Sequence, residues 1–155
     1  MDWKLIVDVA AIASVLVAFI GLLFTARAFR KQMDVQLFLT FTDRYIKAID
    51  TFSPEARAAR LAVDGEPPPH TPQLCKQVLR YMNLCSEEYH LYRNGYLAEV
   101  LWQMWEPKMR KTLQSPMFQR EWQHLADEFH DHPQFQEYVR AVIAEVKKTV
   151  VTPGA

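Results

Sequence analysis

The sequence predicts an all-α protein with one N-terminal transmembrane helix followed by a small helical bundle of about five helices. Three observations carry that expectation. The 22 residues from Leu5 to Ala26 hold a single charge, Asp8. Only four glycines occur in 155 residues, too few for the many tight turns of an all-β fold. Four dipeptides, Ser53-Pro54, Thr71-Pro72, Ser115-Pro116 and His132-Pro133, punctuate the chain after the apolar run. Each reads as a helix start, because proline at the first helical position lacks only an N–H that would be unpaired there anyway. Ser or Thr just before it can cap the new helix.

The first element is the anchor. A helix of about 20 apolar residues crosses a bilayer, and Leu5 to Ala26 meets that length as the expected membrane span. Trp3 and Lys4 precede it, an amphipathic ring and a long-stemmed amine of the kind found at interfaces. Arg27, Arg30 and Lys31 follow it. Three cations behind the span against one before it place the N-terminus outside and the rest in the cytoplasm, in an inner (plasma) membrane. The rival is a cleaved signal peptide, but that segment carries its positive charge ahead of an apolar core of about 7–15 residues. Asp8 reads as an acid near the outer interface, within one turn of Lys4; the alternative is an intramembrane acid in an ion path. The expected division is therefore an anchor with its flanks over 1–31, a helical cytosolic domain over 32–149 and a loose tail over 150–155.

Between Leu22 and Phe52 there is neither Gly nor Pro, so nothing in the sequence breaks the helix as it leaves the span. Phe38, Phe41, Tyr45, Ala48 and Phe52 recur at steps of three and four, one apolar stripe. The punctuation then predicts helices over about Pro54–Val63, Pro72–Arg93, Tyr96–Leu113 with a kink at Pro107, Pro116–His130 and Pro133–Thr149. Gly65 to His70, with three consecutive prolines, must be loop, and Asn94-Gly95 marks a helix stop. The stripe Cys75, Val78, Met82, Cys85, Tyr89, Tyr92 and its counterpart Phe135, Tyr138, Val139, Val142, Ile143, Val146 are core faces of a bundle.

Charge and composition exclude several functions. Residues 1–31 carry a net +2 and the remainder −2, from 14 basic and 16 acidic side chains. A slightly acidic domain is a poor binder of polyanions, which need clustered Lys and Arg, so nucleic acid is not an expected partner. Cys75 and Cys85 lie ten residues apart, about 15 Å along one helix, whereas a disulfide needs Cα atoms within about 7 Å. No Gly-x-Ser-x-Gly elbow and no phosphate-cradling glycine loop occurs. No cofactor and no catalytic residue is expected.

Glu87/His90 and Glu121/His124 form two Glu-x-x-His motifs, the pattern that two helices of a di-metal carboxylate bundle supply, with Asp43 or Asp50 and Glu99 or Glu106 as further carboxylates. The helical wheel opposes it. Glu87 falls nearly opposite the stripe of its helix, and His124 points away from Phe118, Trp122, Leu125 and Phe129, so the motifs are expected to project outward or sideways. His130-Asp131-His132 with Glu128 reads as a polar turn capping the next helix rather than a metal or pH-sensing site. Trp102, Trp105 and Trp122 read first as core and alternatively as an exposed partner-binding patch.

The segments "LFLTFTDRYIKAI", "YMNLCSEEYHLYRNGYL", "WQMWEPKM" and "SPMFQREW" resemble an uncharacterised family of small bacterial single-pass membrane proteins with a Trp/Tyr-rich helical cytosolic domain. The resemblance covers most of the chain beyond the anchor, with Glu87, Glu88, Tyr89, Tyr92, Gly95, Trp102 and Trp105 at the heart of the pattern. It implies no activity and no cofactor, and it implies fold-forming roles for those residues. The expected function is a membrane-anchored protein-interaction module, with the lipid bilayer and a protein partner or a second copy as its partners. The alternatives are an accessory subunit of a larger membrane complex, with Ser14, Ala18 and Gly21 packing against a neighbouring span, and a di-metal carboxylate enzyme.

Overall fold

A computed structural model describes residues 3–151. Among them every regular element is helical: α1 (Trp3–Asp50), α2 (Pro54–Ala59), α3 (Pro72–Arg93), α4 (Glu99–Leu113), α5 (Pro116–Leu125) and α6 (Pro133–Val151), with a 3-10 turn over Ala126–Phe129. The all-α bundle is the expected fold, and α1 runs without interruption through the segment that lacks Gly and Pro. The chain divides into two compact units, Met1–Leu39 and Thr40–Ala155.

In the first unit α1 is long and apolar enough to cross a membrane. Its side chains from Ile12 to Met33 are exposed, including Val15, Leu16, Val17, Phe19, Ile20, Leu22 and Phe24. Thr25 folds its hydroxyl back onto the Gly21 carbonyl at 2.9 Å, which satisfies a polar group within the helix itself.

The second unit is built around α3, which buries residues on more than one face: Leu74, Val78, Tyr81, Met82, Leu84, Cys85 and Glu88. Helices α4, α5 and α6 each pack on it. The end of α1 adds Phe41, Ala48 and Ile49 to the core, and Phe52 joins them from the turn that follows. Rings hold the layers together. Tyr81 meets Phe118 edge-on at 5.3 Å, Tyr92 stacks on Trp102 at 4.5 Å, and Tyr89 stacks on Tyr138 at 4.8 Å.

Three of the four dipeptides cap through a hydroxyl. Ser53 accepts from Ala56 N–H, Thr71 from Leu74 and Ser115 from Phe118, the N3 partner a capping side chain normally reaches. The stop after α3 is a Schellman motif. Gly95, at φ 71°, donates to Tyr92 O, and Tyr96 donates to Leu91 O. Leu97 N–H also returns to Leu91 O. That explains why α4 starts at Glu99 and not at Tyr96, since Tyr96 and Leu97 belong to the cap. α2 ends at Ala59, short of Val63, as the chain tightens into turns from Leu61 to Ala58 and Ala62 to Ala59. α5 gives way after Leu125 to the 3-10 turn. Pro107 sits inside α4 without ending it; the carbonyl it leaves without a donor is that of Gln103, an exposed residue that water can reach. Both cysteines are free thiols. Of the tail expected to be loose, Val150 and Val151 belong to α6, and residues 152–155 lie outside the described residues.

Candidate binding groove

A cavity of about 360 Å³ opens within the second unit, walled by α1, α3 and α4. α1 supplies Phe41, Tyr45 and Ile46, and α4 supplies Met104, Trp105, Lys108 and Met109. α3 supplies Tyr81 and, seven residues on, Glu88. That step returns to the same face of the helix. Ile46 and Met104 are exposed at its mouth, at 51% and 60%. The Phe41 and Trp105 rings meet inside it at 5.7 Å.

Glu88 is the anomaly in this wall. It is 7% exposed, and none of the hydrogen bonds among the described residues reaches its carboxyl. Burial pushes that carboxyl up to about 8; the positive charge of Arg44 opposes the shift and the neighbouring Glu87 adds to it. Arg44 does not pair with Glu88 directly. Its guanidinium takes both oxygens of the exposed Glu87, one of them at 2.8 Å, and lies over the Phe41 ring at 5.3 Å. Lys108 rests its ammonium on the Tyr45 ring at 5.1 Å. Beneath the groove, Arg60 is buried with its guanidinium 5.7 Å from the Tyr45 ring centre, donating to Thr112 Oγ1 at 3.3 Å. Its Nε has no hydrogen-bond partner among the described residues. Burial drives the Tyr81 phenol well above its ordinary value.

The two Glu-x-x-His motifs separate. Glu87 is committed to Arg44, and the His90 ring sits beside the Asn94 amide at 3.3 Å. Glu121 corrects the expectation that these residues project outward, because its side chain is fully buried, at 0%. The apolar face of α5 holds Met117, Phe118, Trp122 and Leu125, and Glu121 stands three residues after Phe118 and four before Leu125, inside that face. His70, from the proline loop, meets Glu121 Oε2 at 2.8 Å, and Arg120 donates to Oε1 through Nε at 2.9 Å and Nη2 at 2.6 Å. The His124 ring lies 4.5 Å from that of His70. His130 pairs with Asp131 at 3.1 Å on the exposed surface. Among the described residues no group of three or more His, Cys, Asp or Glu side chains is placed to hold a metal ion. Of the tryptophans, Trp102 and Trp122 are buried and Trp105 is half-buried in the groove wall.

No family model matches this chain, and neither a curated protein nor a solved structure matches it. The reading of the site therefore rests on its geometry. Glu88, Tyr45, Met104 and Lys108 were not singled out by sequence as groove residues. One local signal does mark Glu88, namely its place in the row Leu74, Tyr81, Glu88 at steps of seven. Tyr45 is marked only as a member of the apolar stripe of α1, and no local signal marks Met104 or Lys108, since the cavity exists only where three helices meet.

Proposed function

We propose that this protein is a membrane-anchored helical interaction module whose groove receives an apolar segment of a protein partner. The observation that carries the reading is the concavity of α1, α3 and α4, with Ile46 and Met104 exposed at its mouth and Trp105 in its wall. Scattered exposed apolar side chains are ordinary on any surface. Their convergence on one cavity large enough to seat side chains supports a docking role. The anchor is Leu5 to Ala26 in an inner membrane. The excess of Arg27, Arg30 and Lys31 over Lys4 supports an outside N-terminus and a cytoplasmic bundle.

The test is extraction of the tagged full chain from its native membrane in mild detergent, side by side with Met104→Glu. A stoichiometric companion is expected with the wild type and absent from the variant. A companion kept by Met104→Glu but lost when Ser14, Ala18 and Gly21 are enlarged to Leu would favour the accessory-subunit reading, in which α1 itself is the contact. Recovery of the wild type with no companion and no second copy would sink both.

A further inference from the structure

The groove holds a buried acid and, at its edge, an exposed base. Its walls are ring faces, methionines, Ile46 and Thr42, with Lys108 held on the Tyr45 ring, and the Glu88 carboxyl is buried among them without a hydrogen bond among the described residues. A carboxyl so placed costs stability when charged, since burial leaves it little solvent and no hydrogen bond from the protein replaces what it loses. Arg44, the cation whose charge acts on Glu88, is already held by both oxygens of Glu87. The charged and titratable groups around Glu88 are Arg44 and Tyr45 from α1, Cys85, Glu87 and Tyr81 from α3, and Lys108 from α4. The aromatic walls suit a cation as well. Ring faces attract ammonium and guanidinium groups, and Tyr45 already carries the Lys108 ammonium at 5.1 Å.

We infer that the groove selects partner segments in which a lysine or arginine stands among apolar residues, seating that cation on the Glu88 carboxylate and its apolar neighbours on Phe41, Trp105 and Met104. This rests on the interaction-module reading and adds the chemistry of the partner. Charge complementarity is the argument. A basic side chain entering the cavity meets a carboxylate in a low-dielectric setting, where a charge-assisted hydrogen bond is strong. Binding displaces the proton that Glu88 holds in the empty groove. That proton leaves to solvent as the carboxylate–cation pair forms.

The experiment is selection of a displayed library of random twelve-residue peptides on the purified full chain in lipid nanodiscs, with empty nanodiscs as the background, run in parallel on Glu88→Gln. Glutamine matches the neutral carboxyl in shape, and a cooperative thermal melt at pH 5 confirms that the variant is folded. The wild type is expected to enrich peptides with one Lys or Arg flanked by apolar residues. Glu88→Gln is expected to keep the apolar preference and lose the basic one, and to bind a selected arginine peptide at least tenfold more weakly. Wild-type affinity for that peptide rises between pH 6 and 9, as Glu88 ionises, and the variant's stays flat. Apolar peptides without a basic preference, or a basic preference that survives Glu88→Gln, would overturn the inference and leave the docking groove standing. If neither protein enriches any peptide over empty nanodiscs, the docking reading fails with it.

Discussion

Glu88 makes a pH experiment informative. Its carboxyl titrates near pH 8 in the folded protein and near the ordinary carboxylate value of about 4.3 when unfolded. Between those values the folded state holds a proton that the unfolded state has lost, so stability falls as pH rises. The contribution is intact below about pH 4.3, declines toward pH 8 and levels off beyond it, with a total on the order of 5 kcal/mol. Thermal melts from pH 5 to 8.5 should show that decline in the wild type and a much flatter course in Glu88→Gln. Glu121 is the opposite kind of buried acid, one supplied with partners. Glu121→Ala removes the acceptor shared by His70 and Arg120 and opens a cavity against Met117 and Leu125. Both partners keep some contact with water, so the loss is expected at about 1–3 kcal/mol, read by chemical denaturation. The inward position of Glu121 was legible in the spacing Phe118, Glu121, Leu125. One of its partners was local as well, since Arg120 precedes it in the chain, whereas His70 arrives from 51 residues away. The partner of one carboxyl oxygen was therefore within reach of the sequence, and that of the other depends on the tertiary fold.

Secondary structure was the most legible level, because the signals are local. Ser53, Thr71 and Ser115 each cap the helix that their following proline opens, and Gly95 ends α3 with the positive φ that the stop requires. The start of α4 was misplaced for an equally physical reason. The amides of Tyr96 and Leu97 are drawn back to Leu91 O, a competition that propensity does not register. Two measurements test this level. Ser115→Ala removes the hydroxyl from Phe118 N–H at a buried cap and should cost about 1–2 kcal/mol. Pro107→Ala should stabilise by about 1–3 kcal/mol, because alanine restores the donor to Gln103 O in the interior of α4. Denaturant midpoints of the two variants against the wild type check both.

At the scale of the whole chain, the division at Leu39/Thr40 makes a truncation experiment specific. A fragment beginning at Thr40 retains Phe41, Ala48, Ile49 and Phe52, all buried, and should fold alone with a cooperative thermal transition. A fragment beginning at Ser53 loses those four side chains and the α1 wall of the groove, and should aggregate or melt without cooperativity. Size-exclusion chromatography and circular dichroism of the two fragments decide it. The sequence-based boundary at residue 32 was drawn where charge replaces the apolar run, a chemical border. The compact unit begins eight residues later, next to Phe41, the first buried ring of α1.

The Tyr92 and Trp102 rings are nearly parallel, at 6° and 4.5 Å between centres, with Tyr89 edge-on to the same indole at 6.0 Å. Side-chain chromophores held in fixed mutual orientation generate near-ultraviolet dichroism, and that signal vanishes when packing loosens while helices persist. The protein thus carries a built-in optical gauge of how tightly α4 is seated on α3. Any ligand that wedges between those helices would be visible as a change of colour-free spectroscopic handedness, with no label attached.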